Sequence, residues 1–366
     1  MKKYLDISEV KAFQIDITSK CNLMCPQCSR VENGKLNPAL PLTELSPEDY
    51  DIIFAQNCPS LEEIVLNGNY GDPIASKYID HLIEKAENKN IRLEIFTNAS
   101  LRTVDWWKNL GEKFKQMNSR VIFSIDGLKD TNSIYRINSN FDKIMENAQS
   151  YITSGGKARW DFLVFEHNCH QLETARELAK KLGFAEFQLK YTTRFLSQHL
   201  GSGADKDSQQ VYNRKKKTQY EIKSAVSANV FDEILKTKYK NSYSDFLSKT
   251  PIDCKYKNWK LLFIDFSMRV YPCCWIGEFP YSSSSSRKKQ FNQLTEKYET
   301  HFNSLRHHSL KEILDHKWFA HDLVESWSNK TNDTANPRWA KCSQICSIDY
   351  GFTNAPGSQN NILYQL

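Results

Sequence analysis

Between residues 11 and 191 the sequence repeats one unit, a short apolar run followed by an amphipathic helical pattern, and this repetition constrains the fold more than any other feature. Phe13, Ile15 and Ile17 alternate in the first run. Similar runs follow at 63–67, 91–96, 121–125, 161–165 and 186–190, which makes six strands. The clearest helical pattern covers 170–182, where Leu172, Ala175, Leu178, Ala179 and Leu182 share a face and Gly183 follows as a stop. Another helix is expected to open at Ser46-Pro47-Glu48-Asp49, with the serine as cap, the proline in the first turn and the acids toward the helix dipole. Strands alternating with helices favour a parallel sheet with right-handed crossovers, either open or curled into part of a barrel. In both arrangements ligand sites gather at the carboxyl ends of the strands.

The loop after the first strand carries Cys21, Cys25 and Cys28, spaced C-x3-C-x2-C. A [4Fe–4S] cube is normally held by four thiolates. Three closely spaced ligands therefore leave one iron open to a small molecule. A structural zinc site wants four ligands, usually as two pairs, and the first 60 residues add only Cys58 and no histidine. A disulfide framework is disfavoured too. The chain opens Met1-Lys2-Lys3-Tyr4-Leu5-Asp6 with no apolar secretory segment, so a cytoplasmic, reducing setting is expected, where cysteines serve metals or catalysis.

A chain of 366 residues can hold one large domain and a smaller one. It contains no uninterrupted apolar run of the ~20 residues a bilayer span needs, so no membrane role is expected. The 49 Lys and Arg against 43 Asp and Glu leave a net charge of +6, too mild and dispersed to argue for nucleic acid. The one dense basic run, Arg214-Lys215-Lys216-Lys217, reads as a solvated linker. A zinc-stabilised RNA-binding protein would rest on that run and the mild positive charge.

Other strand ends are polar as well. The second runs into Gly68-Asn69-Tyr70-Gly71-Asp72-Pro73. Two glycines before an acid suggest backbone close to a ligand, with a carboxylate placed to accept from an ammonium group; a plain turn is the competing reading. The third strand ends at Phe96-Thr97-Asn98, and the fourth at Ser124-Ile125-Asp126-Gly127.

With the motifs in this order, the chain resembles the radical S-adenosylmethionine (SAM) superfamily over roughly residues 11 to 195. The resemblance implies an α/β fold, a partial (β/α)6 TIM-like barrel, with Cys21, Cys25 and Cys28 holding a [4Fe–4S] cluster whose fourth iron is chelated by SAM. It places Gly71 and Asp72 at the SAM amino group, Ser124 and Asp126 near its ribose and methionine parts, and Arg136 at its carboxylate. Two departures stand out: Asp72 is a carbon shorter than the family's glutamate, and Gln27 occupies a place where an aromatic commonly precedes the last cysteine. The implied reaction is reductive cleavage of SAM to methionine and a 5′-deoxyadenosyl radical that takes hydrogen from a substrate. That step needs no side-chain acid or base, so no catalytic side chain is assigned, and it implies a reducing partner such as flavodoxin or ferredoxin.

Beyond residue 195 the pattern changes, and domains are expected at 1–195, 196–250 as a linking segment, and 251–366. Residues 197–210 are poor in large apolar side chains, and Ser282 to Ser286 read as a low-complexity insertion. Five thiols follow the barrel region: Cys254, Cys273, Cys274, Cys342 and Cys346. Residues 261–266 and 269–275 read as a hairpin that brings Cys254 near Cys273 or Cys274, while Cys342 and Cys346 lie one helical turn apart. Four such thiolates could hold a second cluster or a zinc. The arrangement resembles the SPASM and twitch extensions of radical SAM enzymes. That likeness implies one auxiliary [4Fe–4S] cluster on Cys254, Cys273, Cys342 and Cys346, with Cys274 as the alternative to Cys273, and with Met268 where the hairpin usually has glycine. It also implies a peptide or protein side chain as substrate, or alternatively a small alcohol or aminocyclitol. No leader-peptide-binding domain is expected ahead of the first strand. An Fe–S binding or regulatory protein without turnover is the reading from another class, and the intact triad speaks against it.

Overall fold

The computed structural model describes residues 3–192, 194–195, 207–215, 217–225, 229–350 and 362–366. The chain forms two compact units. A sheet unit comprises Ile15–Pro47, Glu63–Val226 and Asn360–Leu366, and a helical unit comprises Met1–Gln14, Glu48–Glu62 and Ser227–Gln359.

In the sheet unit, strands Glu63–Leu66, Arg92–Thr97, Arg120–Ser124, Lys157–Val164 and Glu186–Tyr191 pair in parallel, in chain order. Period-2 alternation sets the register: Leu93, Ile95 and Thr97 are buried while Arg92 between them and solvent pairs with Glu63 across the strands at 3.2 Å. These are five of the six expected strands. The other, Ala12–Ile15, ends at the residue that opens this unit. Leu363–Gln365 adds an antiparallel edge to Glu186–Tyr191, and the sheet does not close into a barrel.

Helices Ile79–Asn88, Val104–Gln116, Phe141–Thr153 and Leu172–Leu182 make the crossovers. The last ends where Gly183 takes φ 85°, as its sequence foretold. Helices Val104–Gln116 and Phe141–Thr153 meet at Gly111, where a Cβ would lie 2.3 Å from the Tyr151 carbonyl oxygen. Only glycine permits that approach, and it lets Trp107, Phe114, Phe123 and Tyr151 interlock, all fully buried. Each such side chain contributes on the order of 1.5–3 kcal/mol of burial.

Within the 196–250 stretch, expected as a linking segment, the described residues form regular elements. Strands Ser208–Tyr212 and Thr218–Lys223 form an antiparallel hairpin within the sheet unit. Helices Asn229–Tyr239 and Tyr243–Lys249 belong to the helical unit. Sparse but fully buried anchors explain this: Val211 and Ile222 in the hairpin, Phe231 and Phe246 in the helices. Within the serine-rich run a helix begins, Ser285–Tyr298. The residues 1–14 and 48–62 join the helical unit through specific partners. The Tyr4 hydroxyl donates to the Pro272 carbonyl at 2.8 Å, and Asp49 in helix Pro47–Phe54 takes both Arg306 nitrogens at 2.8 Å.

The expected hairpin is present as Leu261–Ile264 and Val270–Tyr271. At its turn Met268 adopts φ 63°, the left-handed conformation for which glycine would be the ordinary choice. Its side chain is fully buried, and that burial offsets the strain. Among the described residues no helix is long and apolar enough to cross a membrane.

Candidate functional site

The cysteine loop is pinned from inside by a residue the sequence did not flag. Arg30, buried, donates from Nε to the Ser19 carbonyl at 3.0 Å and from Nη1 to the Leu23 carbonyl at 3.1 Å, so it ties together the two sides of Cys21. The Cys28 N–H closes a turn on the Cys25 carbonyl at 3.1 Å, and the Met24 N–H reaches Ile137. The three thiols act on one another electrostatically and pack against one apolar cluster with Leu23, Tyr135 and Phe165.

The ends of the next three strands surround this loop. Gly71 lies directly beneath it: a Cβ there would sit 2.1 Å from the Thr18 carbonyl oxygen, and the neighbouring Asp72 N–H donates to the Lys20 carbonyl at 2.8 Å. The close approach inferred for Gly71 is thus to the chain's own backbone. Asp72 is buried, and its carboxylate accepts from Ile74 N at 3.2 Å, Thr97 Oγ1 at 2.8 Å and Asn98 N at 2.7 Å. A carboxylate offers about four acceptor positions, so one remains. Asn98 was not singled out by the sequence, yet its Nδ2 stands 3.6 Å from Cys21 Sγ. Its signal was the same as for the others, a polar residue just past a strand.

Ser124 ends strand Arg120–Ser124, and Asp126 follows two residues on. Asp126 is 1% exposed; it accepts from Leu163 N at 2.8 Å and from Arg136 Nε at 2.6 Å. The Ser124 hydroxyl is half-buried and makes no hydrogen bond among the described residues. Asp126 therefore acts as the holder of Arg136, whose charge acts on both Cys25 and Asp72. Burial pushes the Cys25 thiol up to about 12 in spite of that guanidinium. Burial and then the Asp72 charge hold Cys21 well above the usual thiol range. Burial raises Asp72 and Asp126 as well, against their hydrogen bonds and Arg136.

A second set of thiols occupies the helical unit. Cys254, Cys273, Cys342 and Cys346 line one apolar cavity with Pro272, Trp327 and others. Cys274 is not among its walls, and its Sγ lies 3.6 Å from the Tyr256 hydroxyl. Of that pair, Cys273 is the one that lines the cavity. Convergence has local causes: Ile252 bridges Ser347 in a β-pairing, the Asp253 N–H donates to the Cys346 carbonyl at 2.9 Å, and helix Ala340–Cys346 puts Cys342 and Cys346 on one face. The thiol of Cys346 pulls Cys254 below the usual thiol range by hydrogen bonding, aided by backbone N–H groups of Lys257 and Tyr256 and opposed by burial, while Cys346 is pushed up.

Among the described residues, the only three metal-ligating side chains whose ligand atoms all lie within 4.8 Å of one another are His321, Asp322 and Glu325, and Asp322 there is already paired with Lys297 and Tyr298. Neither set of cysteines has closed to the ~3.8 Å sulfur spacing that tetrahedral Zn–S bonds of about 2.3 Å impose. A [4Fe–4S] cube takes one thiolate per iron and suits an all-thiol donor set.

No family model matches the chain. A probable GTP 3′,8-cyclase of Methanocaldococcus jannaschii is 26% identical over 182 residues, 48% of this chain and 57% of that protein. The match thus spans little more than half the length of the relative. Among solved structures, Streptococcus suis SuiB bound to precursor peptide SuiA is similar with a TM-score of 0.55 at 14% identity, over 90% of this chain and 70% of that one. Native anSMEcpe with bound AdoMet and Cp18Cys peptide gives a TM-score of 0.52 at 15% identity, over 92% and 89%. At such identity the likeness concerns the fold, an α/β architecture with a largely parallel central sheet.

Proposed function

We propose that this chain is a radical SAM enzyme that abstracts hydrogen from a peptide or protein side chain. The observation that carries the reading is the grouping of Cys21, Cys25 and Cys28 with Asp72, Asn98 and Asp126 just past successive strand ends, and with Arg136, which caps helix Asn132–Tyr135 and is held by Asp126. Cys21, Cys25 and Cys28 would hold a [4Fe–4S] cluster, leaving one iron for the amino and carboxylate groups of SAM. When bound, that cluster supplies the electron that cleaves SAM to methionine and a 5′-deoxyadenosyl radical. The chain's part is to bind and orient. Arg136, fixed by Asp126, offers its guanidinium to a carboxylate. Asp72 offers its remaining acceptor position to an ammonium, and Ser124 its hydroxyl to a ribose. Gly71 keeps the loop close enough for this, and the apolar cluster around Cys25 excludes water.

Cys254, Cys273, Cys342 and Cys346 would hold an auxiliary [4Fe–4S] cluster. A flavodoxin or ferredoxin would supply reducing equivalents. The peptide-bound neighbours are in keeping with a peptide substrate. A second reading, a small-molecule substrate such as a nucleotide, is favoured by the probable GTP 3′,8-cyclase that matches 48% of the chain; small alcohols and aminocyclitols belong to the same class.

The test is mass-spectrometric detection of 5′-deoxyadenosine after anaerobic reconstitution and incubation with SAM and dithionite. Product that disappears in the Cys21→Ala/Cys25→Ala/Cys28→Ala variant is expected. A fully loaded protein that gives none, with peptides, nucleotides or neither present, would favour an Fe–S binding protein without turnover.

A further inference from the structure

The hairpin of Ser208–Tyr212 and Thr218–Lys223 is seated on the cysteine loop itself. Its inner face supplies Val211 and Ile222 to the cluster that contains Leu23 and Cys25, against which Cys21 and Cys28 pack. Gln209 Nε2 donates to the carbonyl of Pro26, between Cys25 and Cys28, at 3.2 Å. The Tyr220 hydroxyl donates to the Ile134 carbonyl at 2.7 Å.

The turn of this hairpin is built as well. Asn213 Oδ1 accepts from the N–H groups of Lys215 at 2.9 Å and Lys217 at 3.1 Å, and the Asn213 N–H donates to the Lys217 carbonyl at 3.0 Å. This bracket holds Arg214, Lys215 and Lys217 exposed at the tip, and none of the three makes an ion pair among the described residues. Arg214 lies three residues from Val211, about 10 Å along an extended strand. A cluster of cations that ion-pairs with none of the described residues therefore projects from the same ribbon that packs against the thiols. Neighbouring like charges do nothing to stabilise the turn.

We propose that this basic turn is the docking surface for an acidic one-electron carrier protein that reduces the cluster held by Cys21, Cys25 and Cys28. The proposal rests on the radical SAM reading, because that chemistry consumes one electron per cleavage from outside the chain. In the step itself, the carrier's flavin hydroquinone loses one electron and becomes the semiquinone, and the cluster gains that electron, passing from the 2+ to the 1+ state. Complementary charge steers such encounters and raises association rates by about 10–1,000-fold at low salt. An acidic electron carrier is favoured over RNA by where the turn sits, on the ribbon seated on the thiols.

The test compares wild type with Arg214→Glu/Lys215→Glu/Lys217→Glu, using a flavodoxin as carrier. Two quantities are measured at about 50 and about 500 mM salt, which brackets strong and weak screening. One is the Kd of oxidised flavodoxin; the other is the rate of cluster bleaching by flavodoxin hydroquinone. Reduction by the methyl viologen radical cation serves as the small-reductant reference. We expect the variant to lose at least tenfold in both quantities at low salt, the gap to close at high salt, and the viologen rate to hold. Unchanged affinity and rate overturn the proposal. Equal slowing with flavodoxin and viologen also overturns it, since the hairpin would then matter to the cluster alone. Loss of RNA binding with an unchanged flavodoxin rate assigns the turn to nucleic acid instead. A wild-type protein loaded with iron that accepts no electron even from viologen removes the radical SAM reading, and this proposal with it. The Arg214→Gln/Lys215→Gln/Lys217→Gln variant, with charge removed and not reversed, is expected to fall between.

Discussion

The pair Asp126–Arg136 is the test of how the site is held. Asp126 is 1% exposed and its partner guanidinium 20%, with Nε and Oδ2 at 2.6 Å. Asp126→Asn keeps the shape and the acceptor for Leu163 N but removes the charge opposite Arg136. Breaking a buried pair costs about 3–5 kcal/mol; partial exposure of Arg136 lets solvent recover some of this, leaving about 2–3 kcal/mol. Arg136→Met strands the Asp126 carboxylate instead, which can take up a proton, and a similar loss is expected. The double variant leaves no buried charge. Its loss should fall short of the sum of the single losses by about 1–3 kcal/mol, the range for groups in direct contact. Urea unfolding at neutral pH, followed by far-UV circular dichroism on the reduced apoprotein, gives the three values. Losses that add to within about 0.5 kcal/mol would refute the coupling. SAM affinity provides a second arm. Arg136→Met should weaken it about 10- to 100-fold, the value of one charge-assisted hydrogen bond, and Asp126→Asn should weaken it less, since it holds the ligand-binding group without being one.

Two further outcomes are expected. Burial raises the Asp265 carboxyl from 3.8 to about 6, against hydrogen bonds from Arg269 N, Ser267 N and the Tyr281 hydroxyl. Between those pH values the folded protein keeps a proton that the unfolded chain has released, so stability falls as pH rises through the window, by about 3 kcal/mol in all. Asp265→Asn should remove this slope, read as unfolding midpoints from pH 4 to 7; an identical slope in both proteins would sink the assignment. In the second thiol set, Cys273→Ala should lose the iron of the auxiliary centre while Cys274→Ala retains it, measured as iron per chain after reconstitution, and the reverse pattern would show that Cys274 is the ligand.

The parts of the fold that the sequence made legible are those that bury a whole face. Strands such as Arg92–Thr97, with every second side chain in the core, and helix Leu172–Leu182, closed by Gly183, carry their periodicity openly. The hairpin at 208–223 does not. In Thr218–Lys223 only Ile222 is buried, because its support comes from the cysteine loop and not from a continuous core of its own; Tyr220 alternates with it but stays exposed, and two residues are too short a period to stand out. At the site, spacing drew attention to the thiols, strand ends to Asp72 and Asp126, and the family resemblance to Arg136. What spacing could not convey was who binds whom. Arg30 acts through backbone carbonyls, Asn98 through a long-range approach to Cys21, and Asp126 through Arg136. Met268 shows the same limit from the other side: an unsuitable residue for a left-handed turn is kept there by what its side chain buries.

Asp72 brings these strands of reasoning together, because its shortness relative to the family's glutamate is now explicable. Its carboxylate is drawn in close to the turn, where it caps Ile74 N and takes Thr97 Oγ1 and Asn98 N, while the turn itself is clamped under the cysteine loop by Gly71. Asp72 is 5% exposed and makes three hydrogen bonds, so an added methylene must displace the groups that its carboxylate now holds. Asp72→Glu, although it restores the residue of the resembling family, is therefore expected to lower stability by about 1–3 kcal/mol through overpacking. It should also loosen the Ile74 cap, worth about 0.5–2 kcal/mol. Because the same carboxylate both closes the turn and faces the thiols, SAM affinity should fall along with thermal stability, where a purely ligand-facing residue would change affinity alone. A glutamate variant with an unchanged melting temperature and tighter SAM binding would mean that Asp72 serves the ligand first and the turn incidentally.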